Sequence, residues 1–229
     1  MTGIPTRAGR PRRTAVLLVV LAVACVTAGV AVILAGTGGG GAPPPRPGPA
    51  AAGQLPHGMG HMPAPSVPVP PTPTATGSAL PPAALPAVLD IPAIGVHTRL
   101  LDLGLAADGS LEVPGKPLQA GWFHGSPAPG RPGPAVILGH VDSYATGPAV
   151  FYRLGAMKPR QQIRVTRADG SVAVFTVDAV RSYEKRAFPT LDVYGNTPDP
   201  QLRLITCSDW NTRTRAYDGN TVVYAHLAG

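Results

Sequence analysis

The chain has 229 residues, and its 28 Gly and 29 Pro make up about a quarter of it, against an average usage of about 12%. This excess excludes one evenly folded domain, because it is concentrated in residues 36–86, where few side chains are large enough to bury. Most of the net charge of +7 lies before residue 47, and from residue 87 onward 14 basic residues stand against 12 acidic ones. Such a balance excludes the basic face that nucleic-acid binding requires.

The first 36 residues have the pattern of a membrane anchor. Residues 1–13 form a basic arm, and residues 14–36 carry no charged side chain. At about 1.5 Å per residue, a helix of this length crosses a hydrocarbon core of about 30 Å. The positive-inside bias then predicts a single-pass cell-membrane protein with a cytoplasmic N-terminus and an extracellular remainder. A cleaved signal peptide is the alternative, but its apolar region is normally only about 7–15 residues long.

Residues 37–86 predict a disordered linker rich in Gly and Pro. Such a segment buries too little apolar surface to offset the entropy lost on ordering. It contains two His and two Met within residues 57–62, and these side chains are potential copper ligands. A flexible segment gives a poorly organised site, so we interpret this stretch as plain linker and predict no metal site.

Residues 87–229 predict one compact, mainly β domain of ordinary size. Short apolar runs alternate with turn signals, and no long helical period occurs. The predicted strands are 87–91, 121–123, 135–140, 162–166, 171–181, 201–207 and 221–226. The Asp-Gly pair at 169–170 predicts a hairpin. Seven to eight strands in this length indicate a closed or nearly closed β-barrel, although periodicity alone does not distinguish a barrel from a sandwich.

Two predicted strands end in a chemically reactive side chain, one in His140 and the other in Cys207. A thiol attacks as the thiolate, which a nearby cation favours, and an imidazole can then protonate a leaving amine. Arg213 and Arg215 follow in the predicted loop before the last strand, where a guanidinium is able to stabilise an oxyanion. Asp142 is a candidate for orienting the imidazole. Pattern alone favours a buried structural cysteine over a catalytic one.

Four short motifs follow one another along this domain. They are residues 91–96 (IPAIGV), 137–140 (ILGH), 204–207 (LITC) and 220–225 (NTVVYA). In sequence and order they resemble the sortases, the cysteine transpeptidases that attach proteins to Gram-positive cell walls. Residues 139–143 (GHVDS) and 183–194 (YEKRAFPTLDVY) resemble the actinobacterial class F, or class E/F, branch in particular. The resemblance covers about residues 88–225, essentially the whole predicted domain.

The resemblance implies a sortase β-barrel with a Cys, His and Arg site and no cofactor. It assigns the nucleophile to Cys207 and the partner imidazole to His140. In well-known sortases the arginine lies on the last strand, shortly after an aromatic residue, whereas residues 217–220 (YDGN) contain none. The remaining candidates are, in order, Arg215, Arg213 and Arg203.

The function that the resemblance implies is cleavage of an LPxTG-type sorting signal between Thr and Gly. The acyl group passes through a thioacyl enzyme to an amine, which belongs to a peptidoglycan precursor or to another protein. One alternative is an L,D-transpeptidase or a cysteine peptidase acting on wall peptides, but a closely spaced H-x-x-x-S-x-x-C motif is absent. A second alternative is a wall-facing binding module without catalytic activity.

Overall fold

A computed structural model describes residues 42–53, 55 and 84–229. The predicted basic arm, the predicted membrane span and the His/Met stretch at 57–62 all lie outside these residues. Within the described part of the chain, no helix is both long enough and apolar enough to cross a membrane.

The strands of the described residues pair mainly into one closed barrel. In chain order they are β1 (Pro86–Ile91), β2 (Val96–Leu103), β3 (Ala120–Phe123), β4 (Gly133–Leu138), β5 (Asp142–Ser143), β6 (Gly147–Pro148), β7 (Gln162–Arg167), β8 (Val172–Glu184), β9 (Pro200–Asn211) and β10 (Ala216–Leu227). Eight of them close in the order β1-β2-β3-β4-β9-β10-β8-β7, while β5 and β6 form a separate two-stranded sheet. The prediction of a mainly β, closed barrel of seven to eight strands is confirmed.

The hairpin between β7 and β8 shows how the local sequence sets the barrel. Gly170 takes a positive φ of 81°, and Asp169 accepts hydrogen bonds from the backbone and hydroxyl of Ser171. These bonds lower the pKa of the Asp169 carboxyl. In the flanking strands every second residue is buried, as in Ile163 and Val165 of β7. The predicted Asp-Gly turn therefore fixes which face of each strand points inward.

Two apolar clusters lie on opposite faces of β9. Leu202 and Leu204 belong to the cluster that fills the barrel, whereas Ile205 belongs to a second cluster on the outer face. Successive side chains of a strand point to opposite faces, so one strand supplies both clusters. A short helix, α1 (Thr190–Tyr194), covers part of the outer cluster with Val193. The outer face of β9 is therefore partly covered, and farther along the same strand it carries Cys207.

Residues 43–53 pack on the barrel, so the prediction of a disordered linker over 37–86 is wrong for this part. Ala51 is buried in a short helical turn, and the Arg181 guanidinium donates to the carbonyls of Ala52 and Gly53 at 2.9 and 3.2 Å. A Cβ at Gly53 would lie 1.8 Å from the Asp178 carbonyl oxygen. Small residues with restricted backbones thus fit closely against β8, an arrangement that composition does not reveal.

Candidate active site

The parallel pair β4 and β9 brings two predicted site residues to one edge of the barrel. The last paired residues are Leu138 and Ile205, and the Gly139 N–H donates to the Ile205 carbonyl at 3.1 Å. This bond extends the ladder past the end of β4. Continued at the same offset, the register places His140 beside Cys207, with neighbouring strands about 4.8 Å apart.

Two hydrogen bonds hold His140 in place. Its Nε2–H donates to the Pro114 carbonyl at 2.7 Å, and its own carbonyl accepts from the Phe151 N–H at 2.9 Å. A carbonyl only accepts hydrogen bonds, so Nε2 carries a proton and the lone pair of the neutral ring lies on Nδ1. The Asp142 carboxylate, considered above as the orienting group, instead accepts a hydrogen bond from Tyr217. The Pro114 carbonyl therefore takes the orienting role that the sequence suggested for Asp142.

Cys207 is half-buried and lines a cavity of about 170 Å³. The walls of this cavity come from the ends of β9 and β10, from residues that follow His140, and from residues 43–46. Trp210 and Tyr217 form one side of it, with their rings edge to face and 5.0 Å apart. The thiol is thus accessible from a small, partly aromatic space at the rim of the barrel.

Asn220 lies directly opposite Cys207 in the antiparallel pair of β9 and β10. Side chains of directly opposite residues share one face of the sheet, with their Cβ atoms about 4.5–5.5 Å apart. The thiol and the carboxamide are therefore neighbours. The sequence alone did not indicate Asn220, because the family resemblance implies an arginine on this strand. The available signal was spacing, since pairing Asn211 with Ala216 at the turn also pairs these two residues.

The structure does not bring Arg213 or Arg215 to the thiol. Both side chains are exposed in the turn between β9 and β10, and Arg215 has a φ of +53°. Five residues of strand separate Arg215 from Asn220, a rise of about 16 Å. The interpretation of this stretch as a plain loop also requires correction, because β9 extends to Asn211 and β10 begins at Ala216.

Arg203, the third candidate, is only 3% exposed and already has partners. Its guanidinium donates to the Gln201 Oε1 at 2.5 Å and to the Leu202 carbonyl at 3.2 Å. It also lies over the Tyr224 ring, 4.6 Å from the centroid. Burial lowers the pKa of this guanidinium to about 10. Arg203 is therefore part of the packed outer face, four residues along β9 from Cys207.

Tyr217 ties β10 to the segment that follows His140. Its hydroxyl donates to the Asp142 carboxylate, and Asp142 is two residues from the histidine. Burial, followed by this hydrogen bond, raises the pKa of the Tyr217 phenol above its ordinary value. The phenol therefore stays protonated at neutral pH and keeps donating.

Residues 43–46, which we call the N-terminal wall, close another side of the thiol cavity. The Arg46 guanidinium lies 3.1 Å from the Asp209 carboxylate on β9. A Cβ at Gly155 would lie 2.0 Å from the Pro45 carbonyl oxygen, so the wall packs where glycine alone leaves space. A segment from before the barrel therefore contributes to the surroundings of Cys207.

The sequence profile of the family described as "Sortase domain" matches residues 89–228, which is more than half of the chain. This chain belongs to the sortase family. Sortases are cysteine transpeptidases, so the chemistry expected of the family agrees with a thiol and an imidazole at one barrel edge. No curated protein sequence matches the chain significantly.

Solved sortase structures share the fold. A lid mutant of sortase A from Corynebacterium diphtheriae is 24% identical, with a TM-score of 0.51 over 63% of this chain and 70% of that one. Sortase A from the same organism is 23% identical, with a TM-score of 0.48 over 63% of this chain and 61% of that one. The sortase D5 transpeptidase of Clostridium perfringens is 21% identical, with a TM-score of 0.48 over 63% and 79%. At this identity, the first similarity supports the fold alone.

Proposed function

We propose that this sortase is a membrane-anchored cysteine transpeptidase that cleaves an LPxTG-type sorting signal and transfers the acyl group to an amine. The observation that supports the proposal is the parallel pairing of β4 with β9, because its register, continued two residues past the last pair, sets His140 level with Cys207. Residues 14–36 would anchor the protein, with residues 1–13 in the cytoplasm and the catalytic domain outside. The class F, or class E/F, assignment belongs to the same proposal and rests on the motifs at 139–143 and 183–194.

In the first half-reaction, the Cys207 thiolate attacks the carbonyl carbon of the threonine in the sorting signal. The carbonyl electrons move to oxygen and form a tetrahedral oxyanion. As the intermediate collapses, the Thr–Gly C–N bond breaks, and the His140 imidazolium gives its proton to the leaving glycine amine. The product is a thioester between Cys207 and the threonine carboxyl carbon.

In the second half-reaction, an acceptor amine attacks this thioester. His140, now neutral, takes the proton from the attacking nitrogen, and the thiolate of Cys207 leaves. A new amide bond joins the threonine to the acceptor, which is either a peptidoglycan precursor or another protein. Both the acid and the nucleophile are regenerated, so the cycle requires no cofactor.

The outer apolar cluster suits the apolar part of such a signal. Ile205 lies on the same face of β9 as Cys207, and Leu111 and Phe123 pack against this cluster while remaining partly exposed. A Leu-Pro segment matches that surface in chemistry. The oxyanion-stabilising group is the remaining part of the site. Resemblance suggests Arg215, or secondarily Arg213, and their positions in the turn do not support either choice.

Peptide cleavage tests the proposal. The full chain in detergent micelles is incubated with a library of LPxTG-type peptides and a glycine-based amine, and the products are read by mass spectrometry. We expect cleavage between Thr and Gly and an amine-dependent ligation product, both lost in Cys207→Ala. Hydrolysis with no ligation product would favour a peptidase, and an absence of cleavage would favour the binding module.

Limited proteolysis of intact cells tests the proposed location. The sequence predicts a linker over residues 37–86, of which residues 43–53 pack on the barrel, and exposed, unstructured segments are where proteases cut. We expect added protease to release a soluble C-terminal fragment from intact cells. Release after lysis alone would place the domain in the cytoplasm and remove the sorting role.

A further inference from the structure

We infer that Asn220 is the third group of this site and that its side-chain amide donates a hydrogen bond to the oxyanion formed during attack by Cys207. The inference rests on the proposed function and deepens it. It replaces the arginine that the family resemblance implies with a neutral donor on the last strand.

The register provides the geometric basis. Asn220 pairs with Cys207, and the pairs on either side are Thr221 with Thr206 and Gly219 with Ser208. The opposed Cβ atoms are about 5 Å apart and on one face. The oxyanion is separated from the sulfur by a single carbon atom, so an amide donor at this spacing can approach within about 3 Å of it.

Small residues around this pair let the two strands approach closely. A Cβ at Gly219 would lie 2.4 Å from an Asp209 carboxylate oxygen and 2.8 Å from the Ser208 hydroxyl. No larger residue fits there without a shift of its neighbours. The hairpin backbone beside Asn220 is thus closely packed, which holds the Asn220 Cα and Cβ in place opposite Cys207.

Several other polar groups near Cys207 already have partners. The Thr206 hydroxyl has none among the described residues, but alternation puts Thr206 on the opposite face of β9 from Cys207. The Tyr217 hydroxyl donates to Asp142, and the Asp218 carboxylate accepts from the Asn211 amide at 2.7 Å. A carboxylate cannot donate to an oxyanion in any case. The Ser208 hydroxyl donates to Asp209 at 2.8 Å. Among the side chains that face Cys207 across the hairpin, Asn220 is therefore the donor suited to the role.

A neutral amide has consequences that a guanidinium does not. It stabilises the developing negative charge by a directed hydrogen bond, without the full positive charge that would also bind the ground state. Removing one such donor typically lowers kcat by about 10²–10³-fold and leaves KM nearly unchanged. A residue that merely supports the hairpin would instead change stability.

The test uses the full chain, an intact LPxTG-type peptide that the parent chain cleaves, and a glycine-based amine. The variants are Asn220→Ala and Asn220→Ser. Arg215→Ala tests the rival hypothesis that the arginine stabilises the oxyanion. Gln162→Ala is the control, because it removes an exposed side-chain amide on β7. We expect both Asn220 variants to lose about 10²–10³-fold in kcat, with KM, melting temperature and Cys207 alkylation rate near those of the parent. Arg215→Ala and Gln162→Ala should stay within about threefold.

Three outcomes would overturn the inference. Asn220 variants that cleave within about threefold of the parent would show that the amide is not needed, while leaving the proposed function intact. A large kcat loss in Arg215→Ala with none in Asn220→Ala would return the role to the arginine. If the parent chain cleaves no peptide, the proposed function fails and this inference fails with it.

Discussion

Two stretches of the β9–β10 ladder have the same geometry and opposite chemical character. Arg203 is paired with Tyr224 and Cys207 with Asn220, and alternation puts both pairs on the outer face. Both side chains of the first pair are buried. In the second pair, Cys207 lines a cavity at the barrel rim. The comparison teaches that reactivity on this strand is set by access to the cavity rather than by charge.

The stretch around Arg203 and Tyr224, which we call the closed end, shows how a buried charged residue is accommodated. Arg203 spends its donors on Gln201 and a backbone carbonyl, and the Tyr183 and Tyr224 hydroxyls lie 3.0 Å apart beside it. Burial raises the pKa of Tyr224 and lowers that of Arg203. These groups pack into the fold, and Arg203 is too deeply buried to meet a substrate.

The largest effect should follow removal of the Cys207 thiol. Cys207→Ala should lower peptide cleavage by on the order of 10⁴-fold or more, because no other group forms the acyl enzyme. Its melting temperature should stay near that of the parent, since one small side-chain atom is lost at the rim. Cleavage assays on the full chain check this, with Cys207→Ser as the isosteric variant. Residual activity near the parental rate would mean that the nucleophile lies elsewhere.

The second prediction concerns the closed end. Arg203→Ala should lower the free energy of unfolding by about 3 kcal/mol, because it removes buried hydrogen bonds, the contact with the Tyr224 ring and the packing of the arginine stem. Urea denaturation measures this, and kcat per folded molecule should not change. The matched control is Arg213→Ala, an exposed arginine, expected to stay within about 0.5 kcal/mol. Equal free energies of unfolding for the two variants would contradict a stabilising role for the buried contacts of Arg203.

The third prediction concerns the N-terminal wall. The ion pair between Arg46 and Asp209 is largely solvent-exposed, so it should be worth at most about 1 kcal/mol. Arg46→Ala should therefore increase the rate of Cys207 alkylation by at most about fivefold, and the difference should fade in about 1 M salt. Arg131→Ala, remote from the thiol, serves as the control. A salt-independent change would mean that the wall acts through packing instead.

The smallest expected effect is a pH dependence at Asp178, near the closed end. Burial raises the pKa of this carboxyl above its ordinary value, against a hydrogen bond from His226. The native state therefore holds its proton more tightly than the unfolded chain. Between the ordinary and raised values this group lowers the free energy of unfolding as pH rises.

Asp178→Asn should accordingly gain stability relative to the parent as pH rises through that interval. Asp169→Asn is the control of opposite sign. Hydrogen bonds from Ser171 lower the pKa of Asp169, so its carboxylate stabilises the native state of the parent at higher pH. The Asp169→Asn variant should therefore lose stability relative to the parent as pH rises. Urea unfolding from about pH 3 to pH 7 checks both slopes. Parallel slopes for the two variants would contradict the assignment of burial to Asp178.

The sequence was sufficient to predict the barrel, because the barrel depends on local apolar runs and turn residues. The prediction that His140 and Cys207 end their strands is wrong, since β4 ends at Leu138 and β9 continues to Asn211. It did not predict β2, in which His97 and Arg99 interrupt the apolar run even though alternate residues are buried. The pairing of Asn220 with Cys207 was not predicted, because polar residues on both strands interrupt the apolar pattern from which a register is inferred. The packing of residues 43–53 depends on distant glycines such as Gly155, which leave no local signal.

The most direct test of the central claim is the mass of the acyl enzyme. The full chain is mixed with excess LPxTG-type peptide and no amine, quenched in acid and digested. We predict that the fragment containing Cys207 carries the part of the peptide ending in threonine, as a thioester that hydroxylamine removes. Peptide cleavage with an adduct on another residue, or with no adduct even after rapid quenching, would contradict the account.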